Sequence, residues 1–587
     1  WGDRGVMPIE RFGEFELDER AGGLKLRGSE VRIQPRVLAL LAYLLRHRER
    51  VVDKDELLEA LWPGVVVTDA SLQRAVSLAR STLQAGGLDQ AIRTYARRGY
   101  RFCATVTSSA APRPDTDRST DPIALAHRAL DRRDWDAAIA AYERADAQAD
   151  LEPVELERLA QAAQWAGKAA RAIGALERAI AAHLCVGDRR GAARAAFLLA
   201  EIQFERLEIP VARGWLRRAE TLLEDAGPCR ELGLVHYLAA RLALLDGSLD
   251  ECRRHAERSH ALGLELGEDD LEALGLLYRG HALLSLGDIQ GGVACLDEAA
   301  ACALTGNMTP WIASVVYCGV IWACRNRGDW DRAAKWTDSF ARWCERNSLA
   351  AFPGTCRLHH AEVLGVRGEL DKATREIAGI ASLLAEWAPW AEGDAYRVLG
   401  DLHLARGDLE AAEQAYRQAH SLGWDPQPGY AMLQLARGET DAAMRCLERA
   451  LAERNWSHIE KRGVLLADLV IVAAAAGRPD RARDALAELE SHPDLWSGTA
   501  VEAMVMRARG EVAVLGASPA DAVRHLRESV NLWRRIGSPV NAAVTQLRLG
   551  ELLHLTDDHS AAALETTAAR AALERLGAAR HPRDIRP

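Results

Sequence analysis

The chain has 587 residues, of which 49% are apolar, 27% charged and 6% aromatic. This composition excludes a disordered or collagen-like chain, and the length exceeds what one hydrophobic core supports. The formal net charge is −10, but residues 1–107 carry +3 and residues 108–587 carry −13, which favours a nucleic-acid-binding module joined to an acidic body of another kind.

The first hundred residues begin with short β-strand patterns. Residues 12–17 and 23–27 are predicted strands separated by a turn at 20–22. A third predicted strand, 31–34, ends at Pro35. This part of the chain is therefore expected to open with a small sheet.

Three predicted helices follow the strands. The first begins at Pro35, where proline suits the first helical position, and the second begins at Asp53 with a capping-box pattern. Thr68 and Asp69 offer caps for the third helix, which is predicted to end near Leu83. Each of the three has apolar residues at helical spacing.

Two further β-prone runs, 92–95 and 100–103, flank a basic turn and predict a β-hairpin. Strands, three helices and a terminal hairpin are typical of a winged helix-turn-helix, in which the third helix presents polar side chains to base edges. The hairpin arginines would contact phosphates or a minor groove, and the start of the third helix suits a phosphate. The residues expected to contact DNA are Thr68, Ser71, Gln73, Arg74, Ser77, Arg80, Arg97 and Arg98.

Five segments of this part occur in a characteristic order: FGEFELD (12–18), RVLALLAYLLRH (36–47), VVDKDELLEALWPG (51–64), VVTDASLQRAVSLAR (66–80) and IRTYARRGYRF (92–102). Together they resemble the winged-helix effector domain of OmpR/PhoB response regulators, especially its CadC/ToxR-type version. The resemblance implies DNA binding, with helix 69–83 in the major groove and the wing 92–102 alongside. It departs at Ala96, where response regulators often have arginine. It comes without a receiver domain or a membrane span in this sequence, so it implies neither aspartyl phosphorylation nor membrane-anchored signalling.

The predicted domains are a DNA-binding head (residues 7–106), a linker rich in Ser, Thr and Pro (107–122) and a helical array (123–580). The array repeats a pattern seen, for example, in GDLEAAEQAYRQA (407–419). A small residue five positions after the turn is followed by a bulky residue four positions later and a small one three after that. The first small positions are Ala138, Ala172, Ala212, Cys252, Gly292, Ala333, Ala373, Ala412, Ala443, Ala482 and Ala522.

These positions are 31 to 41 residues apart, a period typical of stacked helical hairpins that cannot bury their apolar faces alone. The pattern resembles the second helix of the tetratricopeptide repeat. It predicts a mainly α fold: a winged helix followed by a superhelix of about eleven hairpins, with a degenerate twelfth at 540–577. The groove of such a superhelix is expected to hold a peptide, a small molecule, a protein or a second copy of the chain.

Trp336, Phe340 and Trp343 fall on one helical face of the array. Two interpretations are open for these three aromatic residues. They can be ordinary core packing between repeats, or an aromatic contact surface for an effector or partner.

The sequence gives little support for an enzyme. The P-loop, HExxH and GxSxG motifs are absent. Cys356, His359 and His360 have a spacing that suits metal ligands, but such coincidences are common, so neither a metal nor a cofactor is predicted. The eleven cysteines include no CxxC pair, and no apolar run or signal-peptide pattern indicates a membrane, so the cytoplasm is the expected compartment.

The leading hypothesis is a sequence-specific DNA-binding transcription regulator whose array senses an effector or binds a protein partner. Dimerisation through the array would place two heads on two half-sites, and RNA polymerase is a further candidate partner. The alternative is a scaffold whose winged helix contacts another protein.

Overall fold

The computed structural model describes residues 10–18, 23–26, 29–31, 35–48, 50–54, 56–57, 69–84, 88, 91–95, 99–104, 106–108, 121–305, 308–346, 354–380, 384–385, 388–452 and 458–578. The chain divides into two compact units, Trp1–Thr120 and Asp121–Pro587. The first contains the head and the second contains the array.

The head contains an antiparallel five-stranded sheet of order β4-β3-β2-β1-β7. The predicted single strand 12–17 is wrong, because the chain turns at Gly13, where φ is +59°, and Phe12 pairs with Phe15 across that turn. The strands are β1 (Glu10–Phe12), β2 (Phe15–Asp18), β3 (Gly23–Leu26), β4 (Ser29–Val31) and, beyond the helices and the hairpin, β7 (Val106–Ser108).

Strand β7 was not predicted from the sequence. It pairs with β1, with Thr107 opposite Arg11, so the predicted linker 107–122 begins inside the sheet of the head. The last residues of the predicted linker belong to the array, because Asp121 caps the first helix of the array. The polar composition that predicted a linker is compatible with a short edge strand, since an edge strand needs only one apolar face.

The helices of the head are α1 (Pro35–Arg46) and α2 (Asp69–Gln84), and its hairpin, the wing, consists of β5 (Ile92–Tyr95) and β6 (Gly99–Phe102). These three predicted elements are confirmed within a few residues. The second predicted helix is represented by the helical residues Lys54, Glu56 and Leu57. Residues 58–68, which include Thr68, lie outside the described residues.

The array consists of 24 helices that the structure describes as twelve antiparallel hairpins in chain order. They are α3 (Pro122–Asp131), α4 (Trp135–Asp146), α5 (Pro153–Trp165), α6 (Ala169–Cys185), α7 (Arg189–Glu205), α8 (Ile209–Leu223), α9 (Arg230–Leu245), α10 (Leu249–Leu266), α11 (Asp269–Leu286), α12 (Ile289–Thr305), α13 (Pro310–Asn326), α14 (Trp330–Arg346), α15 (Gly354–Val366), α16 (Leu370–Ala378), α17 (Pro389–Arg406), α18 (Leu409–Ser421), α19 (Gly429–Ala436), α20 (Thr440–Ala452), α21 (His458–Ala475), α22 (Pro479–Glu490), α23 (Ala500–Leu515), α24 (Pro519–Ile536), α25 (Pro539–Leu555) and α26 (His559–Arg575). None of the described helices has both the length and the apolar character needed to cross a bilayer.

The small positions of the repeat lie where the two helices of each hairpin approach each other. All eleven predicted positions are buried. The bulky position four residues later is also buried, as Tyr142 and Tyr416 show in two different hairpins. The degenerate twelfth hairpin is confirmed as α25 and α26, with Ala562 at the small position.

The aromatic residues of α14 belong mainly to the core. Phe340 is fully buried and stacks on Tyr317 with ring centroids 4.5 Å apart, and Trp343 is 6% exposed. Trp336 is half-buried and its indole Nε1 donates to Asp297 Oδ1 over 3.1 Å. The expectation of an aromatic contact surface is therefore corrected for Phe340 and Trp343, because bulky rings on the inner face of a repeat pack against the preceding helix.

The array winds back on itself, so that hairpins distant in sequence touch. Trp165 of the second hairpin meets Trp311 of the sixth, with ring centroids 5.4 Å apart. Ala500 of the eleventh hairpin donates a 2.7 Å backbone hydrogen bond to Gly328 of the sixth. The sixth to twelfth hairpins line an interior cavity of about 690 Å³.

Candidate nucleic-acid interface

Helix α2 of the head has one buried and one exposed face. Its buried residues form a stripe at helical spacing, and each of them is at most 2% exposed: Leu72, Val76, Ala79 and Leu83. Ser77, Ser81 and Gln84 are exposed on the other side. Helix α2 therefore combines a core-facing stripe with a polar face, as a helix that enters a major groove must.

The predicted contact residues are distributed unevenly over the described structure. Ser77 is exposed in the middle of α2. Ser71, Gln73 and Arg74 belong to the first half of α2, but their side chains lie outside what the structure describes. The predicted contacts of Thr68, Arg97 and Arg98 fall on residues that are also outside it. Their contacts with DNA remain predictions.

Arg80 joins α2 to the wing. Its Nε and Nη2 atoms donate to the Ile92 carbonyl oxygen over 3.0 and 2.8 Å, and Nη2 also donates to Thr94 Oγ1 over 2.8 Å. These bonds engage one edge of the guanidinium group, so the side chain fixes the first wing strand against the helix. Sequence reasoning predicted Arg80 as a DNA contact and did not anticipate this bond to the wing.

The second wing strand is fixed from another direction. Tyr100 and Val52 exchange backbone hydrogen bonds of 2.8 and 2.9 Å, and Arg101 Nε donates to the Arg48 carbonyl oxygen over 2.9 Å. The approach at Val52 requires glycine at position 99, where φ is +127° and a Cβ atom would lie 1.8 Å from the Val52 carbonyl oxygen. Both wing strands are thus held to the helical part of the head.

A carboxylate fixes the segment in which the predicted second helix begins. Glu56 accepts hydrogen bonds from Arg50 over 2.5 and 2.7 Å and from the Tyr43 hydroxyl over 2.9 Å. The hydrogen bonds from Arg50 lower the pKa of Glu56 to about 2, against the opposing effect of burial. Glu56 is therefore ionised at neutral pH and ties α1 to the segment that precedes α2.

The exposed face of α2 has the chemistry of a duplex-binding surface. Serine hydroxyls and a glutamine amide donate and accept hydrogen bonds, which suits base edges and phosphates. Because the wing is held beside the helix, the two elements that are expected to contact DNA keep a fixed relative position. Among the residues that the structure describes, no group of three or more His, Cys, Asp and Glu side chains is placed to hold a metal ion.

The head is similar to known transcriptional regulators. Residues 28–102 match the family model described as "Transcriptional regulatory protein, C terminal". The head is 26% identical over 102 residues to the transcriptional activator CadC of Escherichia coli (strain K12), an alignment covering 17% of this chain and 20% of CadC. The chain thus matches about a fifth of the length of this curated relative.

Three solved structures are similar to parts of the chain. The DNA-binding domain of Escherichia coli CadC shares 25% identity and has a TM-score of 0.16, covering 18% of this chain and 99% of that domain. The APC/C hetero-tetramer Cut9-Hcn1 shares 15% identity with a TM-score of 0.38, over 78% of this chain and 87% of that one. A Rap protein complexed with competence and sporulation factor shares 12% identity with a TM-score of 0.35, over 65% and 98% respectively.

Proposed function

We propose that this chain, which joins a DNA-binding domain of the transcriptional-regulator type to an array of tetratricopeptide-like hairpins, binds promoter DNA sequence-specifically and regulates transcription in response to an effector or partner. The observation that carries the DNA-binding part is the polar face of α2, set opposite a buried stripe in a domain that matches a transcriptional-regulator family. Such a protein acts where the chromosome lies, which in a bacterium is the cytoplasm.

Base recognition is assigned to the first half of α2. Arg74 would donate to guanine and Gln73 would pair with adenine in the major groove, while Ser77 would contact a base edge or a phosphate. Arg97 and Arg98 at the wing tip would bind phosphates or a minor groove, and Thr68 and Ser71 would contact a phosphate at the helix N-terminus. Arg80 would hold the wing in place through Ile92 rather than read a base.

The array is assigned the regulatory role. An interior cavity of about 690 Å³ lies in the size range of small-molecule sites. Contacts between distant hairpins, such as the bond from Trp390 Nε1 to Glu205 Oε2 over 3.3 Å, give the array a closed winding whose opening a ligand can bias. The array is also the candidate surface for dimerisation and for RNA polymerase.

A mobility-shift experiment tests the DNA-binding part. The purified full chain is mixed with fragments of its own genome, and specific retention of a few fragments at about 150 mM salt supports the proposal. Arg74→Ala should weaken that retention by about 1–3 kcal/mol, while Arg217→Ala, at an exposed position of the array, should preserve it. Weak binding of all fragments alike, together with stable capture of a protein by the head, would instead support the scaffold hypothesis.

A further inference from the structure

The interior cavity of the array is lined by apolar side chains and by a set of charged ones. The apolar part includes Met432, Ile471, Met504 and Val514. Charged groups on the inner helices are costly to bury unless they are paired. The pairing of each lining charge therefore indicates which groups are available to a ligand.

One cluster of lining charges is paired within itself. Arg325 binds Asp394 over 2.7 Å and Glu362 over 2.6 Å. Arg397 binds Asp394, Glu362 and Asp401 over 2.6 to 2.7 Å. The two arginines and three carboxylates of this cluster thus form ion pairs with one another.

The cavity lining contains a second cluster of paired charges. Arg548 binds Glu511 over 2.9 Å and Glu551 over 2.8 Å. Glu511 is thereby paired with an arginine on the first helix of the next hairpin. Arg507 lies one helical turn before Glu511 on α23. In the described structure Glu511 forms no ion pair within 4.0 Å with Arg507.

Two lining ionisable groups remain, Asp468 and Arg507; each acts electrostatically on the other, but they form no ion pair within 4.0 Å in the described structure. Asp468 on α21 is 7% exposed, lines the cavity, and has no hydrogen-bond or ion-pair partner among the described residues. Arg507 on α23 lines the same cavity, and its Nε is enclosed with no hydrogen-bond partner in the described structure. They lie 39 residues apart, one repeat period, on inner helices that pack together.

We propose that this cavity binds a small zwitterionic molecule, with its cationic group against Asp468 and its carboxylate against Arg507. The carboxylate of Asp468 accepts hydrogen bonds from an ammonium or amidinium group, and the guanidinium of Arg507 donates to a carboxylate in the fork geometry that arginine favours. The apolar lining contacts the body of the ligand between its charged ends. The proposal rests on the effector-sensing part of the proposed function and names the ligand class for it.

The class follows from the pattern of satisfied charges. A ligand with only a cation would leave Arg507 unpaired, and one with only an anion would leave Asp468 unpaired. A purely apolar ligand would enclose both charges away from water at further cost. A molecule with both charges pairs with both groups when the Asp468 carboxylate is ionised.

The test uses ω-amino acids as probes, because they carry an ammonium and a carboxylate at the ends of an apolar chain of chosen length. Isothermal titration calorimetry of the full chain is run with 6-aminohexanoate, 8-aminooctanoate and 12-aminododecanoate. Octylamine and octanoate serve as single-charge analogues. At least one ω-amino acid should bind with one-to-one stoichiometry, about tenfold or more tighter than either analogue.

Substitutions localise the binding. Asp468→Asn and Arg507→Gln should each weaken the probe about tenfold or more. Asp484→Asn and Arg527→Gln, at exposed positions of the outer helices in the same two hairpins, should leave it unchanged. Circular dichroism and thermal melting confirm that each variant folds, and Arg507→Lys, which keeps the charge, should bind with intermediate affinity.

Three results would overturn the proposal: no binding of any probe up to about 1 mM, equal binding of the single-charge analogues, or binding that both cavity variants retain. DNA binding is measured on the same preparation without any probe. Failure of the cavity proposal thus leaves a protein that binds DNA, whereas failure of the proposed function leaves one that binds none.

Discussion

The Arg80 guanidinium on helix α2 donates hydrogen bonds of 2.8 and 3.0 Å to the carbonyl oxygen of Ile92, the first residue of the wing. A charged side chain of the helix thus binds the backbone of the first wing strand. In DNA recognition this bond matters because the helix and the wing can contact one duplex only if their relative position is fixed.

Arg80→Ala is expected to weaken DNA binding without changing which sequence is preferred. The wing loses its bond to α2, while the base-contacting half of the helix is unaffected. Affinity for an enriched sequence, measured by fluorescence anisotropy, should fall about tenfold. A loss of preference at one base pair would instead indicate that Arg80 reads that base.

Arg74→Ala, unlike Arg80→Ala, is expected to change which DNA sequence is preferred. Losing a bidentate contact to guanine should cost about 1–3 kcal/mol and relax specificity at one position of the site. The measurement is a comparison of the variant's affinities for the preferred sequence and for its single-base variants. Uniform weakening across all sequences, with a smaller salt dependence, would assign Arg74 to a phosphate.

Gly99→Ala is expected to displace the wing. The added methyl group would meet the Val52 carbonyl oxygen, and the positive φ is unfavourable for alanine. Loss of specific DNA binding should accompany a lowered melting temperature of the head. The melting of the array, followed separately, should not change. Normal DNA binding by this variant would contradict the close approach at Val52.

The buried cluster around Asp394 is expected to dominate the acid stability of the array. Burial alone would raise the pKa of Asp394, but Arg325 and Arg397 outweigh it and hold that pKa well below its ordinary value. The ionised Asp394 carboxylate therefore stabilises the fold at neutral pH. This contribution to the free energy of unfolding is lost as the pH falls below about 4.

Asp394→Asn should lower the free energy of unfolding by about 3–5 kcal/mol at pH 7, because two buried arginines lose a partner. Asp331→Asn, at a half-exposed carboxylate that pairs with Lys335, should cost about 1 kcal/mol or less. Urea unfolding of both variants at pH 7 and pH 3 checks the difference. Equal effects of the two substitutions would contradict the role of the cluster.

Asp468 should give the array the reverse pH dependence. Burial raises the pKa of Asp468 to about 7, with Asp401 acting in the same direction and Arg507 opposing it. The folded chain therefore holds a proton that the unfolded chain releases between about pH 4 and pH 7, and stability falls as the pH rises through that range.

Asp468→Asn should remove this penalty, so its melting temperature should exceed that of the wild type more at pH 8 than at pH 5. An ω-amino acid, by contrast, should bind the wild type more tightly as the pH rises, because its ammonium group favours the ionised carboxylate. A constant difference in melting temperature across that range would show that Asp468 does not titrate there.

Local periodicity was sufficient to predict most of the architecture. The spacing of Ala138 and its equivalents predicted the hairpins because close helix approach requires small residues at one place in each repeat. The turn at Gly13 was missed because the residues on either side of it form a β-prone run. Strand β7 was missed because its pairing with β1 is distant in the sequence.

The cavity charges were harder to predict. Asp468 is the one charged residue in the apolar run 463–477, and this signal could have been noticed. Its meaning depends on Arg507 lying one repeat later on the adjacent helix and on which neighbouring carboxylates are already paired. Periodicity predicts the position of Arg507 relative to Asp468. It does not predict which carboxylates are paired, because pairing depends on contacts between different hairpins.

Sequence-specific DNA binding is tested by selecting bound duplexes from a random DNA pool with the full chain and then measuring affinities at about 150 mM salt. A single enriched motif should emerge, bound about 10³-fold or more tightly than a scrambled duplex, and Arg74→Ala should lose the preference at one base pair of that motif. A pool that yields no motif, or equal affinity for the selected and scrambled duplexes, would contradict sequence-specific binding.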